Sequence, residues 1–557
     1  MENTQGNAPT TEKEAKKKEC DLQNHILYTQ NKAYIFIPFS YSSSTQNVLF
    51  CQQDFQNYVN ALMASKLWIR EKMKTDYLLK YITGKFDISP SANKPDVVYS
   101  KQKKMAAYFE AIKANRGYIR NEETHTPDFD AVQCFHFVLN IREFEKHSKI
   151  RFFEFFRLLS GDERMPNGIA EFMFTGAELF CFNSLVNILA IQVEFNPNVP
   201  IQIANAEFVL KNVEKYHIIA YPEEYAKAKA KAKEKEKAEK AKESSAEAQG
   251  EVETEAAEAE EIDKNKGKES ILHIFENAIC CVENMQYDIF YFANPGKARA
   301  NMLTLLEVPE KEDYSRELFY LKRCYSDGYI YTETQADKEE IHIASKDVIW
   351  GLSIEAAVCL ISPQMGRESF LKGTFFCNFE TQYLLTYVIL LHQKYVLYRF
   401  LTDINVRSSQ DLVTLEKYKD NLYQFETDYV FSHITEVPQY QDVYDRLFKV
   451  FALKELYEDV HEPLISLSEV RYKIDEENQH RQDKKINLIL FILSLLSIFS
   501  AWIDSYDFTE KFLSAHFGLS NDAVMAWQKV IVSIIFVTVC AACIYYRAQR
   551  NKKKNKK

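Results

Sequence analysis

Hydrophobic positions change their period several times along this chain, and each change marks an element. Residues 32–41 (KAYIFIPFSY), 47–52 (NVLFCQ), 134–141 (CFHFVLNI) and 189–195 (LAIQVEF) are runs rich in β-branched and aromatic residues, the pattern of strands. Residues 56–82 and 145–161 carry apolar positions at helical spacing and predict helices. Further on, 271–285 predicts a helix, and 329–334 and 340–345 predict strands. From Phe379 the helical pattern takes over. Residues 379–404 are apolar on nearly every face, so this helix is enclosed by neighbours and its His392 reads as a packed core residue. Two more helices follow, around 407–436 and 439–460. Pro463 suits the first turn of another. No Pro or Gly occurs from Leu464 to Ile503, so that helix can run on for about 40 residues, near 60 Å at 1.5 Å per residue.

The same pattern ends in two uncharged apolar runs. Residues 486–503 read INLILFILSLLSIFSAWI and residues 530–546 read VIVSIIFVTVCAACIYY. Each is close to the shortest length that crosses a hydrocarbon core of about 30 Å. Trp502, Trp527, Tyr545 and Tyr546 stand where interfacial aromatic residues belong. The expectation is a hairpin of two transmembrane helices, 486–504 and 526–546, joined by a short loop, 505–525. The Cys540/Cys543 pair lies inside the second run and reads as two small apolar residues, not as a redox or zinc motif.

Flanking charge orients the hairpin. The tail 547–557 holds seven Lys or Arg and no acid, and Arg481, Lys484 and Lys485 precede the first run. The loop and the span end before it hold Asp504, Asp507, Glu510 and Asp522 against Lys511 alone. Both termini are therefore expected in the cytoplasm, with the protein multi-pass in the cell inner membrane. The whole chain carries −10, so residues 1–546 carry −17 once the tail's seven cations are set aside. That balance gives no reason to expect direct nucleic-acid binding; the basic tail is matched to anionic lipid headgroups.

Composition narrows the rest. Gly 14 and Pro 14 together make about 5% of 557 residues, against roughly 12% in average usage, which disfavours turn-rich folds and favours long helices. The first 25 residues are polar and lysine-rich without a signal-peptide apolar run, so the 11 cysteines are expected as free thiols. Residues 1–24 have the composition of a disordered tail, and 223–270 form a charged low-complexity insertion, basic then acidic. The insertion divides the cytoplasmic part into a first block, 25–222, and a second, 271–437 with stalk helices; long helices at 438–485 lead to the membrane. The fold class is α/β (or α+β) with one connected core, long stalk helices and two C-terminal transmembrane helices.

Two helices cannot enclose a hydrated path, so transport requires a homo-oligomer. A pore helix gathers its polar residues on one side. Asn487, Ser494, Ser497 and Asp504 follow spacings of 7, 3 and 7, and Asp483 and Glu476 extend the line backward. Around a symmetry axis they would form acidic rings at either end of a hydroxyl-lined pore, an arrangement suited to cations. The competing reading is that the serines bond their own helix backbone and the acids form a solvated face. Arg367 and Lys372, in a loop bounded by Pro and Gly, are candidate phosphate contacts, with ordinary surface charge as the alternative.

A soluble α/β part, three long helices, a last helix continuing into the first of two C-terminal spans, a short outer loop and a basic tail resemble the CorA family of divalent-cation channels. The resemblance covers about 379–557 in architecture. It implies a pentamer whose first membrane helix lines the pore, with Mg²⁺ or another divalent cation as the permeant ion. The family's Gly-Met-Asn filter is absent, and SAWIDSYDF stands in its place, with Asp504 or Asp507 available as an outer acidic ring. The large cytoplasmic part, the charged insertion and the stretch LSIEAAVCLISPQMGRESFLKGTFF are most similar to the CorA-type membrane effectors associated with type III CRISPR systems. That resemblance implies a channel gated by a nucleotide second messenger, a conjugate of S-adenosylmethionine and AMP, acting in antiviral defence. It implies no enzyme. The alternatives are a constitutive magnesium or divalent-cation transporter, a membrane-anchored enzyme, and a scaffold without transport. No HExxH, GxSxG, GxGxxG or GxxxxGK[ST] motif supports the enzyme.

Overall fold

A computed structural model describes residues 31–42, 49–89 apart from 76, 127–156 apart from 149 and 154, 168–213 apart from 197–198, and 219–220. It further describes 268–280, 288–292, 299–309, 313–362 apart from 333 and 335–338, 370–407, 412–517, 522–538 apart from 524 and 528, and 541. The expected disordered tail 1–24, most of the insertion 223–270 and the basic tail 547–557 lie outside these residues. The chain divides into two units, Met1–Ile465 and Ser466–Lys557.

The first unit is mixed α/β, built on one large sheet. Its strands are β1 (Lys32–Ser42), β2 (Trp68–Arg70), β3 (Cys134–Leu139), β4 (Phe155–Phe156), β5 (Phe172–Phe182), β6 (Val186–Phe195), β7 (Asp288–Tyr291), β8 (Asn301–Glu307), β9 (Ile341–Ser345), β10 (Val348–Leu352) and β11 (Ala356–Ile361). The order is β9-β10-β11-β8-β1-β6-β5-β3-β2, with β4 on β5 and β7 beside the later part of β1. Pairing is antiparallel throughout except β8 with β11. β1 therefore joins strands from before the insertion to strands from after it, and the two blocks share one core, as their mixed patterns predict.

Both faces of the sheet are covered, which is why its central strands read as near-continuous apolar runs. On β1 the odd residues Ala33, Ile35, Ile37 and Phe39 join the core that includes α1 (Gln52–Ala64), α2 (Ile141–His147), α3 (Pro200–Leu210), α4 (Ile271–Ile279) and α5 (Ser315–Arg323). The even residues meet the other layer, where α6 (Leu384–Arg407) lies: the Phe36 ring is 5.1 Å from Tyr387, and Phe182 of β5 stacks on His392 at 3.8 Å. Two π-helical turns, Phe370–Phe375 and Phe379–Tyr383, precede α6. Then come α7 (Leu412–Tyr429), α8 (Pro438–Val450) and α9 (Leu453–Phe517). Gly351 on β10 admits α5 closely, since a Cβ there would meet Leu318 at 2.8 Å.

Several elements differ from the sequence expectation. The helix expected at 56–82 is α1, and it stops at Ala64: Lys66 turns left-handed at φ 57°, and Trp68–Arg70 then pairs with β3 as a sheet edge. The Trp68 indole N–H donates to the Ala278 carbonyl at 2.8 Å, a contact across 210 positions that local periodicity does not contain. Leu49 and Phe50 form a turn where a strand was expected, and the described residues of 145–161 hold the end of α2 and the short β4 instead of one helix. The strand expected at 329–334 does not form among its described residues. Helix α8 ends at Val450, and the break falls at Ala452, φ 51°, so Pro463 lies inside α9 instead of opening a new helix.

The flanks of the insertion meet. Ile219–Ala220 pairs antiparallel with Lys268–Glu269, so the chain leaves and returns at adjacent points.

In the second unit, α9 continues from Ser466 to Phe517, past the expected end of the first span at 504 and into the stretch assigned to the outer loop. Within Leu453–Ala501 an 18-residue window has mean hydropathy 1.7 and none of it is buried. Among the described residues this is the one helix long and apolar enough to cross a membrane; the second run is present as a shorter apolar helix, Met525–Thr538, and the remainder of 526–546 lies largely outside them.

Candidate pore helix and buried polar clusters

Six sequence-predicted positions share one element. Glu476, Asp483, Asn487, Ser494, Ser497 and Asp504 all lie on α9, and all six are exposed. At 100° per residue they occupy an arc of about 100°. Around them Leu488, Ile489, Leu490, Ile492, Leu493, Leu495, Leu496 and Phe499 are each 41–60% exposed. Leaving such side chains about half exposed to water forgoes roughly 1 kcal/mol apiece, so this segment needs lipid or other helices around it. Ser494 donates its hydroxyl to the Leu490 carbonyl at 2.8 Å, the backbone bond expected of a membrane serine. That bond, the one the competing reading expects, uses the hydroxyl proton and leaves the oxygen lone pairs as acceptors.

The first unit holds polar groups that are unusual for a core. Lys32 opens β1 with its side chain only 6% exposed, directly opposite Glu194 of β6. Its ammonium hydrogen-bonds Glu380 of the second π-helical turn and lies 3.8 Å from Glu194. Burial works against this ammonium, but Glu380 and Glu194 outweigh it and hold the lysine above its ordinary value. Burial pushes Glu194 up to about 7 against the pull of Lys32, and one of its oxygens has no hydrogen-bond partner. Gln192 donates to Tyr34 Oη at 3.1 Å and to Glu380 at 3.4 Å, so the π turn is tied to the sheet by a buried polar seam.

A second cluster gathers around the turn before β11. Lys211 pairs with Glu355, and Lys322 and Arg323 pair with Glu340. Lys394 of α6 donates to the Ile354 carbonyl at 3.3 Å and lies 4.7 Å from the centre of the Phe451 ring. Burial brings its amine down to about 8, with Glu355 opposing. These cations sit on carboxylates and carbonyls within the unit.

Ser184 and His392 approach as a nucleophile and base would, Oγ to Nε2 at 2.7 Å. Both are fully buried, His392 Nδ1 has no partner, and burial holds the imidazole well below its ordinary value. The pair is a core contact enclosed by Phe182 and Tyr429, in keeping with the packed histidine the apolar pattern predicts.

Arg367 lies outside the described residues. Lys372 falls on the first π-helical turn, with its side chain likewise outside them. The Lys32–Glu194–Glu380 seam escaped sequence reasoning, although a signal was present: single charges interrupting the apolar runs KAYIFIPF and LAIQVEF. No family model, no curated protein and no solved structure matches the chain.

Proposed function

We propose that this chain is the subunit of a CorA-like homo-oligomeric cation channel, a pentamer in the inner membrane with both termini cytoplasmic, in which α9 lines the pore. The observation that carries the reading is the unburied apolar part of α9, residues 486–503, in which Asn487, Ser494 and Ser497 fall within about 80° of arc and Ser500 about 60° further round. Lipid accepts the apolar part, and copies arranged around an axis turn the arc inward, away from lipid. The acceptor oxygens of Ser494 and the carboxylates of Glu476, Asp483 and Asp504 favour cations, Mg²⁺ or another divalent ion among them.

The proposed signal is a nucleotide second messenger bound by the cytoplasmic part, with the S-adenosylmethionine–AMP conjugate as the first ligand to try and antiviral defence of the type III CRISPR kind as the setting. Arg367 and Lys372 are the phosphate contacts under this reading. A ligand that moves a channel from 1:99 to 99:1 open must prefer the open form by about 10⁴-fold, so opening should be steep and saturable.

The test is ion flux from liposomes carrying the purified protein. Flux is expected on adding the conjugate and is expected to disappear in the Asn487→Leu/Ser494→Leu double variant while its circular dichroism stays unchanged. Unaltered flux in that variant refutes the pore assignment. Full Mg²⁺ flux without nucleotide makes the chain a constitutive divalent-cation transporter instead. Hydrolysis of the conjugate without flux makes it an anchored enzyme.

A further inference from the structure

Two π-helical turns, Phe370–Phe375 and Phe379–Tyr383, follow one another before α6, although such turns occur mostly singly and often at functional sites. The second is held from outside. Glu380 accepts a hydrogen bond from the Lys32 ammonium of β1 and another from Gln192 of β6 at 3.4 Å, and the Thr75 hydroxyl donates to Gln382. The ammonium also lies 4.5 Å from the centre of the Phe376 ring, between the two turns. Glu194 faces the same ammonium from β6 at 3.8 Å, with one oxygen lacking a hydrogen-bond partner. One cation thus stands between two carboxylates. Glu194 is the more enclosed, 9% exposed against 25% for Glu380, and is therefore the one that keeps a proton toward neutral pH. Among the described residues the other titratable groups facing this seam are Tyr34 on β1 and Glu178 on β5, and His136 of β3 holds Glu178 at 2.8 Å.

We propose that Lys32, Glu194 and Glu380 form a proton-operated latch on the second π-helical turn, closed while Glu194 is protonated and loosened when it ionises. With Glu194 neutral, the ammonium belongs to Glu380 and ties the turn to the sheet. Ionised Glu194 draws the same ammonium toward β6 and repels Glu380. The loosened turn has an α-helical alternative. Because α6 is fixed in the core through Tyr387 and His392, the change falls on the residues before it, Lys372 among them. The latch belongs to the first unit and operates whether or not α9 lines a pore.

The closed form binds a proton that the open form, with Glu194 in water, loses above about 4.5, so opening grows as pH rises and levels off above about 7. Hydrogen exchange of the full-length protein in nanodiscs, followed by mass spectrometry and divided by the intrinsic rates, tests this. Between pH 6 and pH 8 the amides of 379–386 are expected to exchange about tenfold faster, the change that one proton with those two values allows. The amides of α1, on the other face of the sheet, should change less. Glu194→Gln imitates the protonated acid and should keep exchange slow at both pH values. Glu380→Gln should exchange fast already at pH 6 and lose the dependence. An equal change in α1, wild-type dependence in Glu194→Gln, or level exchange in the wild-type protein overturns the proposal. If Glu194→Gln fails to fold, Glu380→Gln decides, and slow exchange at pH 6 in that variant refutes the latch.

Discussion

Glu207 and Lys394 carry opposite pH signatures because burial opposes opposite charges. Glu207 on α3 is fully buried, accepts a hydrogen bond from the Thr304 hydroxyl and has one oxygen without a partner. Burial pushes its carboxyl up to about 8, against the Thr304 bond and Lys211. The folded form thus binds a proton that the unfolded chain has lost, and stability falls as pH rises from about 4.5 through 8. Glu207→Gln is therefore expected to raise the unfolding temperature most above pH 8 and to match wild type near pH 4.5, an effect on the order of a few kcal/mol. For Lys394, held near 8, the unfolded chain binds the extra proton between about 8 and 10.5, so its cost is complete below pH 8. Lys394→Met should stabilise the protein at pH 7, with the gain shrinking as pH climbs toward 10.5. Thermal unfolding followed by circular dichroism across this range checks both. A pH-independent difference for either variant contradicts the assigned cause.

At the scale of elements, helix ends decide the outcome more than helix interiors do. The break between α8 and α9 places Ala452 in the left-handed region, where a Cβ costs roughly 1–2 kcal/mol. Ala452→Gly should therefore stabilise by about 1 kcal/mol, and Ala452→Val should destabilise by at least as much, read as shifts in unfolding temperature. The elements that the sequence made legible are those whose pattern is self-contained: β1, β3, β6 and the apolar helix α6 all fall where periodicity puts them. The misplaced boundaries share a physical cause. Neither Lys66 nor Ala452 is the glycine that normally announces a left-handed stop, so ALMASKLWIR and KVFALKEL read as unbroken helix. What fixes these stops is tertiary, as the Trp68–Ala278 bond illustrates. Spacing alone places the six stripe positions on one side of α9, whereas the Lys32 seam depends on a strand pairing that spacing does not reveal.

At the scale of the whole molecule, one sheet joins both halves of the first unit across an insertion whose flanks are already paired. Replacing residues 221–267 by a short Gly/Ser linker should therefore preserve the fold, since closing a shorter loop between adjacent ends costs little. Unfolding within a few degrees of wild type is expected; loss of cooperative unfolding would mean the insertion supports the sheet. For the assembly, a detergent-corrected particle mass near five times 65.1 kDa is expected, and a monomer or dimer in mild detergents removes the pore.

The most direct test asks whether water reaches one side of α9 and not the other. Single cysteines would be placed at Ser494 and Ser497 on the stripe and at Ile492 and Leu496 on roughly the opposite face. Each protein would then be treated in liposomes with a charged thiol reagent, against wild type treated alike. The account predicts rapid modification and loss of ion flux at Ser494→Cys and Ser497→Cys, with Ile492→Cys and Leu496→Cys unaffected. Equal reaction on both faces, or reaction confined to the apolar face, would contradict it.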